Sequence, residues 1–241
     1  MAGLEIHDGS RPVPDDHVRF VCISDTHCSF PQLPAGDVLL HAGDFSFLGT
    51  LPEVHEFNKY LGTLPFKHRI VIAGNHDVTL DLDLFEENVR SVPPLRGVDA
   101  AFVKARLVNC TYLEDSGVEV EGYKVWGAPG VYADGYCGAF TYQNPERLRP
   151  HWNKIPPDTD IIVTHSPPYG IMDIAWRKNL GCPILLEKVN EVKPLVHLFG
   201  HIHEGRGHLV KDGVNFINAA ICNEESIPAH QPFVFDLPRK T

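Results

Sequence analysis

Short, uninterrupted apolar runs alternate with amphipathic stretches along the first half of the chain. Residues 18–24, 38–42 and 69–73 are rich in Val, Ile and Leu and are flanked by Gly, Pro or Asp. Such runs, short and without a polar face, predict strands buried on both sides of a sheet. Between the second and third, residues 52–61 place Val54, Phe57, Tyr60 and Leu61 on one helical face, and Pro52 suits a first turn. A second helix is expected over residues 82–89. Strand, helix, strand, helix is the order of an α/β unit.

The middle of the chain changes period. Residues 118–120 and 123–127 alternate around Glu121-Gly122, a tight turn between antiparallel strands. Residues 145–152 predict a helix before the Pro156-Pro157 break, 160–164 a buried strand, 183–192 a helix and 195–199 a strand. Residues 208–211 and 214–219 meet at Asp212-Gly213, a hairpin signal. Residues 232–237 close the chain as an expected edge strand. No repeat or linker interrupts this order, so residues 1–17 read as an N-terminal extension and residues 18–241 as one domain.

Charge and cysteine usage narrow the function classes. The formal net charge is −10 and no cluster of Lys and Arg occurs, which argues against tight, charge-driven binding to a large nucleic acid or an anionic membrane. A small anionic substrate stays open, because bound metal ions reverse a local field. The six cysteines are scattered with no CxxC pair, so a reduced, cytoplasmic setting is expected rather than a disulfide framework. The first 16 residues lack the apolar run of a secretory signal, and no stretch approaches membrane-spanning length.

The positions of the metal-ligating residue types are more informative. Asp25-Thr26-His27 follows the first strand, Gly43-Asp44 the second, and Gly74-Asn75-His76-Asp77 the third. His165 ends the strand over 160–164, and Gly200-His201-Ile202-His203 follows the strand over 195–199. Five strands therefore deliver Asp, Asn or His at their C-terminal ends, the edge where α/β sheets bind ligands. Imidazole with carboxylate and no thiolate favours a transition metal over Ca or Mg. Seven ligands (Asp25, His27, Asp44, Asn75, His165, His201 and His203) exceed what one ion takes. Two divalent ions sharing Asp44, with a water or hydroxide between them, are expected. His76 follows Asn75 and is expected to act as a catalytic acid at the leaving group.

Together these motifs resemble the calcineurin-like metallophosphoesterase superfamily, whose pattern is Asp-x-His, Gly-Asp, Gly-Asn-His-Asp/Glu, His and Gly-His-x-His. The longer phrases Phe20-Val-Cys-Ile-Ser-Asp-Thr-His27, Leu39-Leu-His-Ala-Gly-Asp44, Ile70-Val-Ile-Ala-Gly-Asn-His76 and Phe199-Gly-His-Ile-His-Glu-Gly205 are similar to the metallophosphoesterase-domain-containing (fetal-brain 239-like) phosphodiesterases. The resemblance implies an αββα sandwich of two mixed sheets flanked by helices. It implies Asp25, His27 and His203 on one metal, Asn75, His165 and His201 on the other, and Asp44 bridging. It also implies hydrolysis of small phosphodiesters by a metal-bridging hydroxide, with cyclic nucleotides (cAMP, cGMP or 2′,3′-cyclic NMP) the preferred guess. Mn is the expected metal, with Fe, Zn, Ni or Co compatible. The alternatives are a phosphomonoesterase, a nucleotide pyrophosphatase, or a non-enzymatic scaffold of the same fold. Protein Ser/Thr phosphatases carry Gly-Asp-x-x-Asp-Arg-Gly and an Arg before Gly-Asn-His. Here Phe47 and Leu48 replace that Asp-Arg pair, and Ala73 precedes Gly74.

Lesser expectations concern the surroundings. His41 suits either a hydrogen-bonding support for the ligands or a structural residue. Asp77 is expected to cap a helix in preference to orienting His76, and Arg206 to be a solvated loop residue in preference to a phosphate contact. Tyr132, Tyr136 and Phe140 offer rings for stacking on a base, though packing is expected for at least two. His7, His55, His151 and His230 read as surface residues.

Overall fold

Successive residues of the buried runs face different layers, and that parity builds the fold. Along β2 (His17–Ile23), Val18, Phe20 and Cys22 join one apolar cluster and Val21 and Ile23 another, the period of two that a strand imposes. In the computed structural model, which describes residues 4–133 and 138–240, the first set packs against a second sheet. The other set packs beneath α1 (Leu51–Thr63), through Val54, Phe57 and Leu61.

The first sheet runs in the spatial order β1 (Ile6–His7), β12 (Phe233–Pro238), β2, β3 (Val38–His41), β4 (His68–Val71), β5 (Thr111–Tyr112). Strands β2 to β5 are parallel, and β12 is antiparallel to both of its neighbours. The second sheet runs β10 (Gly207–Lys211), β11 (Val214–Asn218), β9 (Val196–Phe199), β8 (Ile161–Thr164), β7 (Tyr123–Ala128), β6 (Ser116–Val120). Its four inner strands are parallel and its two outer strands are antiparallel hairpin partners. Ile161 and Val163 face the first sheet, whereas Ile162 packs outward with Trp152, Leu185 and Val189. Those last three lie on α4 (Arg149–Trp152) and α5 (Pro183–Val192). The layers are therefore helix, sheet, sheet, helix, the αββα sandwich with two mixed sheets.

Local chemistry sets the element ends. Glu53 reaches back to accept from the Thr50 backbone N–H at 2.7 Å, closing the first turn of α1. Asp99 accepts from Phe102 N at the start of α3 (Ala100–Lys104). Glu121-Gly122 and Asp212-Gly213 both place two successive residues at positive φ, as the hairpin turn of type I′ requires.

Two expectations need correction. Only Phe85–Asn88 (α2) is α-helical within 82–89, and 3₁₀ turns flank it at Val78–Leu80, Val89–Ser91 and Pro93–Leu95. The Asp81 carboxylate is buried and accepts from Leu84 N at 3.1 Å, so an Asx-type turn takes the place of the first helical turn. The last strand, β12, is not an edge strand, because Ile6 and His7 pair along its outer side.

Arg19 explains that pairing. It is 1% exposed and forms a bidentate pair with Asp236 of β12, at 2.8 and 2.9 Å. Its other N–H groups reach the Gly9, Arg11 and Pro12 carbonyls, so one buried guanidinium ties the N-terminal segment to the final strand. Breaking a buried pair strands a charge. Arg19→Ala is expected to lower unfolding free energy by about 3–5 kcal/mol, seen as an earlier urea midpoint. A loss below about 1 kcal/mol would place the pair with solvent-exposed ones.

Candidate metal centre

The C-terminal ends of β2, β3 and β4 in one sheet and β8 and β9 in the other meet at a common edge. Each strand is followed by a sharp loop. Asp25, His27, Asp44 and His201 all hold left-handed backbone, with φ of 53°, 42°, 55° and 66°. Non-glycine residues rarely adopt this region, and it costs energy that the surroundings must offset. Loop-to-loop bonds do so: Asp25 N donates to Gly43 O at 2.9 Å and His27 N to Asp44 O at 3.1 Å. Two glycines allow the close approach. A Cβ on Gly74 would collide with Asp44 Oδ1, and one on Gly200 with Asp25 Oδ2.

The imidazoles are aimed by backbone carbonyls. Nδ1 of His27, His76, His165 and His203 lies 3.3, 3.0, 2.8 and 2.6 Å from the carbonyls of Ser46, Phe47, Ala42 and Asn223. A protonated Nδ1 donating there turns Nε2 toward the centre, the arrangement that orients metal-ligating histidines. The Nε2 atoms of His27 and His203 lie 3.3 Å apart. His165 Nε2 lies 3.1 Å from Asn75 Oδ1 and 3.2 Å from Asp44 Oδ2. All seven expected ligands and His76 are thus brought together. Donor atoms of Asp25, His27 and His203 fall within 4.8 Å of one another, as do those of Asp44, His165 and His201. His27, Asp44 and His76 form a third such group.

Two carboxylates dominate the electrostatics. Burial pushes Asp25 up, but the His203 hydrogen bond and the charge of His165 outweigh it and hold the group at about 2. Asp44 is likewise held well below the usual range, against burial, by His165 and His76. In return, burial pulls His165 and His203 down, but Asp44 raises the first and Asp25 the second, each to about 9. For His201 the same carboxylates weigh less, and burial takes it down to about 3.

Supporting residues were harder to read from sequence. Asp77 does not cap the 3₁₀ turn that follows it. Its buried carboxylate accepts from Asp44 N (3.0 Å), Ser46 N (3.0 Å), Ser46 Oγ (2.6 Å) and Gly74 N (2.8 Å). It therefore clamps the Asp44 loop to the Asn75 loop. Burial, reinforced by the Asp44 charge, pushes Asp77 up to about 7. His41 is buried, with Nε2 3.1 Å from Thr26 Oγ1 and Nδ1 accepting from Gly43 N at 3.2 Å, so it supports both neighbouring loops. Arg206 is half-buried rather than freely solvated: it donates to Gln231 O at 2.6 Å and lies over the Phe233 ring. Phe140 packs in the core and Tyr132 lines the cleft; Tyr136 lies outside the described residues. His7 and His151 are half-buried beside Asp236 and Asp115. The Asn223 carbonyl had no signal to find, since a backbone oxygen is common to every residue type.

The centre forms the floor of an open cleft of about 470 Å³, lined also by Trp176, Lys178 and Glu204, a size suited to a small organic ligand. Two buried carboxylates, an amide oxygen and convergent Nε2 atoms fit a pair of divalent transition metals. The arrangement, with its fold, supports a binuclear metal-dependent phosphoesterase centre. Among the described residues no helix is long and apolar enough to cross a membrane, and the five described cysteines are free.

Comparison with known proteins gives concordant results. The family description Calcineurin-like phosphoesterase matches residues 18–205. Metallophosphoesterase domain-containing protein 1 of Homo sapiens is 40% identical, over 96% of this chain and 74% of its own. A UPF0046 protein of Caenorhabditis elegans is 42% identical over 94% of this chain and 83% of its own. The solved structure of TT1561 of Thermus thermophilus shares the fold at 16% identity, with a TM-score of 0.53 over 83% of this chain and 88% of its own.

Metal uptake must displace the protons on His165 and His203, because a ligating imidazole is neutral. With both groups near 9 in the metal-free protein, both are protonated at pH 7, and affinity rises with pH until it levels above that value. Titration calorimetry with Mn in buffers of different ionisation heat should show about two protons released at pH 7. Release of none would contradict this charge arrangement.

Proposed function

This chain belongs to the calcineurin-like phosphoesterase family, and from that premise we propose that it is a binuclear phosphodiesterase acting on small phosphodiesters. Cyclic nucleotides (cAMP, cGMP or 2′,3′-cyclic NMP) are the proposed substrates, Mn the proposed metal and the cytoplasm the proposed setting. The observation that carries this reading is the pair of donor triads, Asp25-His27-His203 and Asp44-His165-His201, with His27, Asp44, His201 and His203 lining an open cleft. Asp25, His27 and His203 would hold one ion and Asn75, His165 and His201 the other, with Asp44 between them. When bound, two divalent ions supply Lewis acidity for the phosphoryl oxygen, activation of a water, and a positive field exceeding the charge of Asp25 and Asp44. A singly charged diester suits that field.

The chain's own residues do the rest. Asp44 Oδ1 accepts from His76 N at 2.8 Å, which fixes the catalytic segment to the bridging carboxylate. A protonated His76 Nδ1 donates to the Phe47 carbonyl at 3.0 Å, leaving Nε2 toward the cleft that His76 lines. A proton held at Nε2 is placed to pass to a departing alkoxide. His27 sits edge-on to His76 with ring centroids 4.9 Å apart, which limits its rotation. The volume of the cleft suits a small ester.

The third donor group, His27-Asp44-His76, favours a second reading in which His76 is itself a ligand. The two readings separate experimentally. Mn-loaded protein should hydrolyse bis(p-nitrophenyl) phosphate faster than p-nitrophenyl phosphate, and a chelator should abolish both. His76→Ala should lower kcat by roughly 10²–10⁴-fold with the Mn content retained. Parallel loss of Mn makes His76 a ligand. A monoester preference replaces the diesterase reading, and inactivity of fully loaded protein toward every ester removes it.

A further inference from the structure

One wall of the cleft is a small arm that the catalytic reading does not use. Two-residue strands, Ile174–Ala175 and Lys178–Asn179, pair antiparallel, with Ala175 opposite Lys178. The turn between them is Trp176-Arg177, at φ 50° and 62°. Two successive positive φ values define the type I′ hairpin turn, a position that Asn-Gly or Asp-Gly fills without strain. A bulky aromatic in left-handed backbone is an outlier. Trp176 also stays 83% exposed, so no packing among the described residues offsets the strain or the apolar surface left in water.

The base of the arm, by contrast, is rigid. Asp173 is buried, and its carboxylate accepts from Gly170 N at 2.9 Å and Gly181 N at 3.0 Å. Leu180 N donates to Asp173 O at 2.9 Å. The arm also seats on the metal loop: a Cβ on Gly205 would collide with the Met172 carbonyl. Ala175, Trp176 and Lys178 line the same cleft as His27, Asn75 and His76. The backbone that carries this exposed indole is thus anchored beside the metal-site loops, and Lys178 lines the same cleft from the paired strand. Strain at an exposed residue on a rigid base marks a functional position.

We propose that Trp176 is a specificity-determining residue whose indole stacks on the planar aromatic group of a phosphoester bound at the metal floor. The inference rests on the phosphoesterase reading above and names the side chain that would select the aromatic group of its substrate. A nucleobase and a simple aryl group share the stacking chemistry, and Lys178, which lines the same cleft, adds a cation for the anionic ester.

The test compares Mn-loaded wild type, Trp176→Ala and Trp176→Phe. The substrates are adenosine 2′,3′-cyclic phosphate, bis(p-nitrophenyl) phosphate and glycerophosphoethanolamine, and AMP affinity is measured by calorimetry. Trp176→Ala should weaken AMP binding and lower kcat/KM for an aromatic ester roughly 10- to 100-fold more than for the glycerol diester. Trp176→Phe should recover most of both. A selective loss confined to the nucleotide identifies a base as the stacked group, and a loss shared with the nitrophenyl ester identifies any planar ring. An equal change for all three esters, or unchanged AMP affinity, overturns the proposal. If the wild type hydrolyses none of the three, the phosphoesterase reading fails, and the AMP titration alone still judges the arm.

Discussion

Two almost fully buried carboxylates govern this molecule. Asp25 and Asp44 are 0% and 2% exposed, and a carboxylate so placed is costly unless cations and hydrogen bonds answer it. Each is answered the same way. Asp25 accepts from His201 N and faces His203, and Asp44 accepts from His76 N and faces His165. The compensating groups come from both sheets, so the charge arrangement also sets how the two sheet edges meet. Two imidazolium protons and two metal ions are alternative answers to the same buried charge. The metal-free fold and the metal-binding fold can therefore be one structure.

Holding that arrangement requires support that does not itself touch a substrate. Asp77 gathers four donors from two loops, and His41 joins the Asp25 loop to the Asp44 loop. Both help offset the strained backbone at Asp25, His27 and Asp44. Each of these side chains is buried and paired, so substitution would disturb ligand geometry before it disturbed the sandwich. The αββα core is separate in composition, since its inter-sheet cluster is apolar and ends where the loops begin.

The layers were legible in the sequence because buried strands write themselves as short apolar runs. The runs at 18–24, 38–42 and 69–73 became β2, β3 and β4 within a residue or two, and residues 183–192 became α5 without change. The convergence of the eight site residues was legible for a related reason: each follows a strand end, and parallel strands share an edge. What stayed hidden depends on tertiary partners. Residues 82–89 carry a helical pattern, but the buried Asp81 side chain captures the first turn. The last strand read as an edge because nothing local announces Ile6 and His7 beside it. Asp77 read as a cap, since most of its donors lie about thirty residues away in sequence, and Trp176-Arg177 carries none of the residues that normally mark a hairpin turn.

Two ions sharing Asp44 are the proposal on which the functional reading turns, and anomalous diffraction at the Mn edge from crystals grown with Mn addresses it directly. Two peaks are expected, one touching Asp25, His27 and His203, the other touching Asn75, His165 and His201, with Asp44 in contact with both. A single peak, or two peaks with His76 in place of one of these histidines, would contradict a shared binuclear centre.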